Sequence, residues 1–259
     1  PTDDALVDFY FPGRNYITDL QFHGTHVAAT AVSNGLIGAG VTSKTTLTGI
    51  KVCDVFGDCN FGAIFSGLFY ATETGVDVAN MSLGGAFVKA GNGQFVGFIN
   101  SLMNTLRRSN ITVVVSAGNS SIDLDKNGNA YSVFCDSPNV ICVSATGPTA
   151  SAGTNGPWTD VDAPALYTNF GRSAIDVAAP GGNTGAPVWA TCTQTSLVVP
   201  VCQTGNFIVG LSGTSMAAPH VSGLAALLVS QGVSKPSQVK ARILQSADDL
   251  GQKGTDKFY

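Results

Sequence analysis

Short apolar runs rich in β-branched residues recur along this chain with helix-length segments between them, and that alternation restricts the fold more than any other feature. Residues 47–52, 76–81, 111–117, 140–145 and 175–178 each read as a strand buried on both faces. Residues 62–74 and 93–109 are long enough to be crossover helices. Residues 23–32 and 215–230, rich in Ala, Val and Leu, also read as helices, the second buried on most of its faces. Gly232 ends it, and Pro236 suits the first turn of a last helix over 236–247. Strand–helix alternation of this kind predicts an α/β sandwich around a parallel sheet. Residues 123–129, 147–169 and 181–205, rich in Gly, Pro, Asn and Thr, read as surface loops. No repeat or linker interrupts the 259 residues, which are read as a single domain.

Composition narrows the partners. Charged residues are only 12% of the chain, against about 25% in an average soluble domain. Solubility then rests on Gly, Ser, Thr and Asn, as in secreted proteins. The net charge is −4 and the only adjacent basic pair is Arg107-Arg108, which argues against nucleic acid or an anionic membrane as the main partner. No apolar stretch approaches the ~18 residues that span a bilayer. No signal peptide is visible, and Pro1 is not a natural start, so a preceding segment is expected.

The six cysteines fall into three close pairs, Cys53/Cys59, Cys135/Cys142 and Cys192/Cys202. Six cysteines allow fifteen pairings. Local pairing is the simplest, and three disulfides would place the chain in an oxidising compartment outside the cell. The alternative is six buried thiols. C-x-x-C spacing for a metal is absent.

Three motifs carry chemistry. In His23-Gly24-Thr25-His26-Val27-Ala28 a histidine stands at a helix start beside residues small enough to admit a substrate. A group titrating near neutrality suits a general base, while an isolated histidine pair is more often structural. Zinc is excluded, because H-x-x-H lacks the i, i+4 spacing and the intervening Glu. In Ser212-Gly213-Thr214-Ser215-Met216-Ala217-Ala218-Pro219-His220, Ser215 opens an apolar helix. The unbonded amides and positive dipole of that end would face an oxyanion formed there. The plain alternative is an ordinary helix cap. In Ser116-Ala117-Gly118-Asn119-Ser120, directly after a strand, Asn119 could donate its amide to an oxyanion or simply make a turn.

Taken together and in this order, HGTHVA, SAGN and SGTSMAAPH resemble the subtilisin family of serine proteases. The resemblance extends to Asn80-Met81-Ser82-Leu83-Gly84-Gly85 and to the run from Asn169-Phe170-Gly171-Arg172 through Pro180-Gly181. It implies a three-layer α/β sandwich with a central, mostly parallel sheet, and a monomer that cleaves proteins or peptides through an acyl-enzyme. It also implies a propeptide before the catalytic domain. Residue by residue, it implies His23 as base, Ser215 as nucleophile, and Asn119 with the Ser215 amide as oxyanion hole. Ser82, Leu83 and Gly84 would pair with substrate as an added strand, and Ser116, Ala117 and Gly118 would line the first specificity pocket. His26 and His220 match structural positions.

The chain departs from the pattern at the acid. The family's third catalytic member is an aspartate ending the first strand, in a V-x-V-[IL]-D-[ST]-G setting, roughly thirty residues before the histidine in subtilisin. Only twenty-two residues precede His23, and none forms an apolar run followed by D-[ST]-G. Asp3, Asp4, Asp8 and Asp19 lie in polar, loop-like sequence, with Asp19 in a connecting loop. No catalytic aspartate is therefore assigned, and the acid is expected upstream of Pro1; residues 1–259 alone are expected to be an inactive fragment with little or no proteolytic activity. Residues 254–259 resemble the lead-in to the family's closing glycine-rich turn, so the domain is expected to be incomplete at both ends.

No cofactor is required. The segment Val32-Ser33-Asn34-Gly35 is short compared with family members that wrap a tight calcium there, and that site is not expected. Asp123-Leu124-Asp125-Lys126-Asn127-Gly128 matches the first half of a calcium loop, but its twelfth position is Phe134 rather than Glu. An EF-hand is excluded; a weaker calcium site of Asp123, Asp125 and Asn127 stands against a simple polar turn.

Two rivals remain. An α/β-hydrolase would need G-x-S-x-G, with an acid and a histidine following the serine, but only His220 follows. A peptide-binding pseudoprotease would be expected to have lost His23, Asn119 or Ser215, all of which are present.

Overall fold

A computed structural model describes residues 3–151, 156–205, 207–251, 253, 254, 256 and 258. The elements run α1 (Asp4–Tyr10), α2 (His23–Val32), α3 (Phe61–Thr74), β1 (Val78–Met81), β2 (Gly85–Val88), α4 (Gly93–Arg108), β3 (Thr112–Ser116), β4 (Ala130–Val133), β5 (Val140–Thr146) and β6 (Ala150–Ser151). They continue with β7 (Trp158–Thr159), β8 (Val177–Pro180), β9 (Val188–Thr191), β10 (Ile208–Leu211), α5 (Thr214–Ser230) and α6 (Pro236–Ser246). Residues 152–155 of the expected 147–169 loop, and three positions of the 254–259 stretch resembling the closing lead-in (255, 257, 259), lie outside the described residues. The chain divides into two compact units, Pro1–Val76 with Trp189–Gly210, and Asp77–Val188 with Leu211–Tyr259.

The second unit holds the sheet. Four strands in the order β1-β3-β5-β8 pair in parallel, with Asn80 opposite Val114, Val114 opposite Ile141 and Val143 opposite Val177. Every residue of β3 and β5 is buried, which is why both read as continuous apolar runs rather than alternating ones. Helix α5 lies across all four strands. It packs Ala217, Ala218, Val221 and Ala225 onto Val114, Ile141, Val143, Ala145, Val177 and Ala179. Each such Val or Ile contributes roughly 1.5–3 kcal/mol by leaving water. Side chains alternate along a strand, so Val113 and Val115 face the other way. Helix α4 packs on β3 with Ile99, Leu102, Met103 and Leu106 along one buried stripe. The result is the expected three-layer α/β sandwich. Helix α6 begins at Pro236 and packs on α5. Its Lys240 reaches Asp176 at 2.6 Å and donates to the Val140 carbonyl.

The first unit is mostly helix and irregular chain, with β9 paired to β10. Two expectations are corrected here. Residues 47–52 form no strand: none among the described residues pairs with them, and Leu47 is 57% exposed. They still lie against α3, where a Cβ on Gly67 would stand 2.9 Å from both Ile50 and Val52. Apolar β-branched content makes a strand only where a neighbour completes the ladder. Conversely, the loop-like start contains α1. Its Val7 is buried in a small cluster with Leu20 and Val55, and Asp3 pairs with Lys51 at 3.0 Å. A seven-residue helix is too short to show periodicity in the sequence.

The three disulfides are those expected: Cys53–Cys59, Cys135–Cys142 and Cys192–Cys202. No helix among the described residues is long and apolar enough to cross a membrane.

Candidate active site

His23 is the first residue of α2, in the first unit. The preceding Phe22 has φ +152, a backbone that residues other than glycine rarely adopt. Asp19 secures this helix start. Its Oδ2 accepts from the Thr25 amide at 2.9 Å and from the Thr25 hydroxyl at 2.6 Å, and its Oδ1 accepts from the Gln21 amide. The His23 amide donates to Gln21 Oε1. Asp19 is thus occupied in capping, and Asp8 accepts from the Tyr16 hydroxyl. Among the described residues no carboxylate is hydrogen-bonded to the His23 ring. Burial pushes the imidazole below its ordinary value, opposed in part by the charge of Asp19. His26, fully buried, has Nε2 3.1 Å from the Val209 carbonyl. His220, in the second unit, has Nδ1 2.8 Å from the Met216 carbonyl, and burial lowers its pKa also.

Ser215 is the second residue of α5, after an N-cap Gly213 that offers no side-chain cap. Its amide is one of the first-turn donors that helix geometry leaves unbonded. Pro219 lies four residues on, within the helix. Lacking an N–H, it cannot bond the Ser215 carbonyl, and the Ser82 hydroxyl donates to that carbonyl instead, at 2.8 Å. Ser82 in turn accepts from Asn80, and Asn80 accepts from Ser222 of α5. The Ser215 hydroxyl lies 3.4 Å from the Ser82 carbonyl. Leu83 and Gly84 fall between β1 and β2, outside either ladder, so that stretch of backbone is open to another strand.

Asn119 follows β3. Its Oδ1 accepts from both the amide and the hydroxyl of Thr214, each at 2.9 Å. That fixes the side chain and leaves its amide N–H groups as the free end, on an exposed residue. A Cβ on Gly213 would lie 3.4 Å from Nδ2, so the amide group sits at the helix start carrying Ser215. Thr214 also accepts from the Gly118 amide at 3.0 Å.

The sequence did not single out Asn169 as more than part of a familiar run. Its buried side chain donates to the Ala117 carbonyl and accepts from the Ser120 and Ile122 amides, at 2.9, 2.9 and 3.1 Å. Its backbone amide donates to the Gly118 carbonyl. Gly118 has φ +101, and a Cβ there would stand 2.5 Å from Asn169 Nδ2. Only glycine lets this turn close. Of the expected pocket residues, Ser116, Ala117 and Gly118 are together in it, with the Ala117 amide bonded to the Val143 carbonyl.

The expected calcium residues hold the loop through other partners. Both Asp125 carboxylate oxygens accept from the Ser173 amide, Asp123 pairs with Lys126 at 3.2 Å, and Asn127 donates to Ser132. Among the described residues no three His, Cys, Asp or Glu side chains converge as metal ligands would.

Comparison with known proteins gives a consistent picture. The profile of the Subtilase family matches residues 9–259. Subtilisin DY of Bacillus licheniformis is 34% identical over 96% of this chain and 77% of its own length. Thermitase of Thermoactinomyces vulgaris is 33% identical over 90% of this chain and 70% of its own length. Subtilisin-like protease 7 of Arthroderma gypseum is 31% identical over 92% of this chain, which spans about half (51%) of that protein. Among solved structures, a cold-adapted subtilisin-like serine proteinase superposes with TM-score 0.69 and 25% identity, covering 93% of this chain and 74% of that one. A lanthipeptide protease gives 0.73 and 25%, covering 92% and 71%.

Proposed function

This chain belongs to the subtilase family of serine endopeptidases, and on that footing we propose that it hydrolyses peptide bonds through an acyl-enzyme formed on Ser215. His23 takes the Ser215 proton as the hydroxyl attacks the carbonyl, then returns a proton to the leaving amine. The tetrahedral oxyanion is met by the Ser215 amide and the Asn119 side chain. The observation that most supports this is the fixing of Asn119 by Thr214 at the start of the Ser215 helix. Donors held in place before reaction stabilise charge as it develops, at no reorganisation cost.

The substrate is a protein or peptide, docked as an added strand along Ser82, Leu83 and Gly84, with Ser116, Ala117 and Gly118 beside the first side chain. The chemistry needs no cofactor. Calcium at Asp123, Asp125 and Asn127 would have to displace the Ser173 amide and the Lys126 ammonium. Calcium-dependent melting that Asp125→Ala abolishes would establish such a site. The orienting acid is placed on a strand added at the outer edge of β1, which has no ladder partner among the described residues. The three disulfides suit an oxidising compartment, and the proposal places the enzyme outside the cell, as a monomer made with a propeptide. Peptide-amide hydrolysis by the enzyme and by Ser215→Ala tests the reading. Turnover lost in the variant supports it, and turnover retained overturns it.

A further inference from the structure

The turn carrying Asn119 has no regular secondary structure of its own, yet oxyanion stabilisation requires a donor held to a fraction of an ångström. We propose that Asn169 is the positioning residue that holds this turn, and so sets the reach of the Asn119 amide. The inference rests on the reading of Asn119 as oxyanion donor. One buried side chain bonds both flanks of Asn119, the Ala117 carbonyl before it and the Ser120 and Ile122 amides after it, while its own amide bonds the Gly118 carbonyl. The hydrogen bonds of the Asn169 side chain all go to this turn. The second hold is the Thr214 grip on Asn119 Oδ1 and the Gly118 amide. Thr214 fixes the side chain; Asn169 fixes the backbone from which it extends.

A residue that acts through Asn119 has a signature that general stabilisation lacks. Asn169→Asp keeps an oxygen for the Ser120 and Ile122 amides but sets a second oxygen against the Ala117 carbonyl; Asn169→Ala removes every side-chain bond. Kinetics of both are measured in the enzyme and in an Asn119→Ala background, with melting temperatures alongside. Both are expected to lower kcat by on the order of 10–10²-fold with KM unchanged, the scale of a displacement near 1 Å. In the Asn119→Ala background the same substitutions are expected to change kcat by less than about 2-fold, since coupled residues do not add. Equal losses in both backgrounds, a change in KM alone, or loss of cooperative melting in both variants would overturn the inference while Asn119 keeps its role. If Asn119→Ala leaves kcat intact, the role of Asn119 fails and the inference falls with it.

Discussion

At the scale of single residues, the roles proposed for Asn119 and His23 carry distinct kinetic marks. On the proposed mechanism Asn119 meets an oxyanion rather than a ground-state carbonyl, so Asn119→Ala is expected to lower kcat and leave KM nearly unchanged. In subtilisin, loss of the corresponding donor costs about 10²–10³ in kcat, and that known figure sets the scale here. His23 works as a base only when unprotonated, and burial pushes its pKa below the ordinary 6.5. The acid limb of kcat/KM is therefore expected below that pH. Asp19→Asn removes the opposing charge and should move the limb further toward acid, which a pH–rate profile reads. The same depression costs stability in acid. Below about 6.5 the unfolded chain binds a proton that native His23 does not, so stability falls as the pH is lowered through that value.

At the scale of elements, Asp19 separates a cap from a catalytic acid. As a cap on α2 it is worth about 1 kcal/mol, so Asp19→Asn should lower the melting temperature and leave kcat near the parent's at a pH above the limb. A fall near the 10⁴-fold that loss of a triad aspartate causes would make Asp19 the acid after all. The helices α2 to α6 were legible because each is long enough to show an apolar stripe or a clear start, such as Pro236. The three motifs were legible because short runs bring their residues together locally. What escaped was non-local. At 47–52 no described residue supplies a ladder partner, which the segment's own sequence does not reveal, and the pairing of β2 with β4 joins residues 85–88 to 130–133. Asn169 reads as a turn residue until its partners some fifty positions earlier are placed beside it. The Ser82–Ser215 bond was implicit in Pro219, whose missing N–H frees the carbonyl, but nothing local says which donor arrives.

At the scale of the molecule, the disulfides and the open sheet edge matter most. Cys192–Cys202 ties the residue just after β9 to the short 3-10 turn at Pro200–Thr204. Replacing both cysteines by serine is expected to cost roughly 2–3 kcal/mol on a loop-entropy estimate, read by denaturant unfolding. Among the described residues β1 pairs only with β3, its apolar Val78 and Ala79 are partly buried, and such an edge is a template for a further strand. Labelling with a fluorophosphonate, followed by mapping of the modified peptide, tests the central claim most directly. It requires an activated serine beside an oxyanion hole, whatever the peptide substrate. The enzyme is expected to take one label per chain, on Ser215, with labelling lost in Ser215→Ala and slowed in Asn119→Ala. An unlabelled protein that still binds peptide would contradict the acyl-enzyme account, as would a label carried on any other serine.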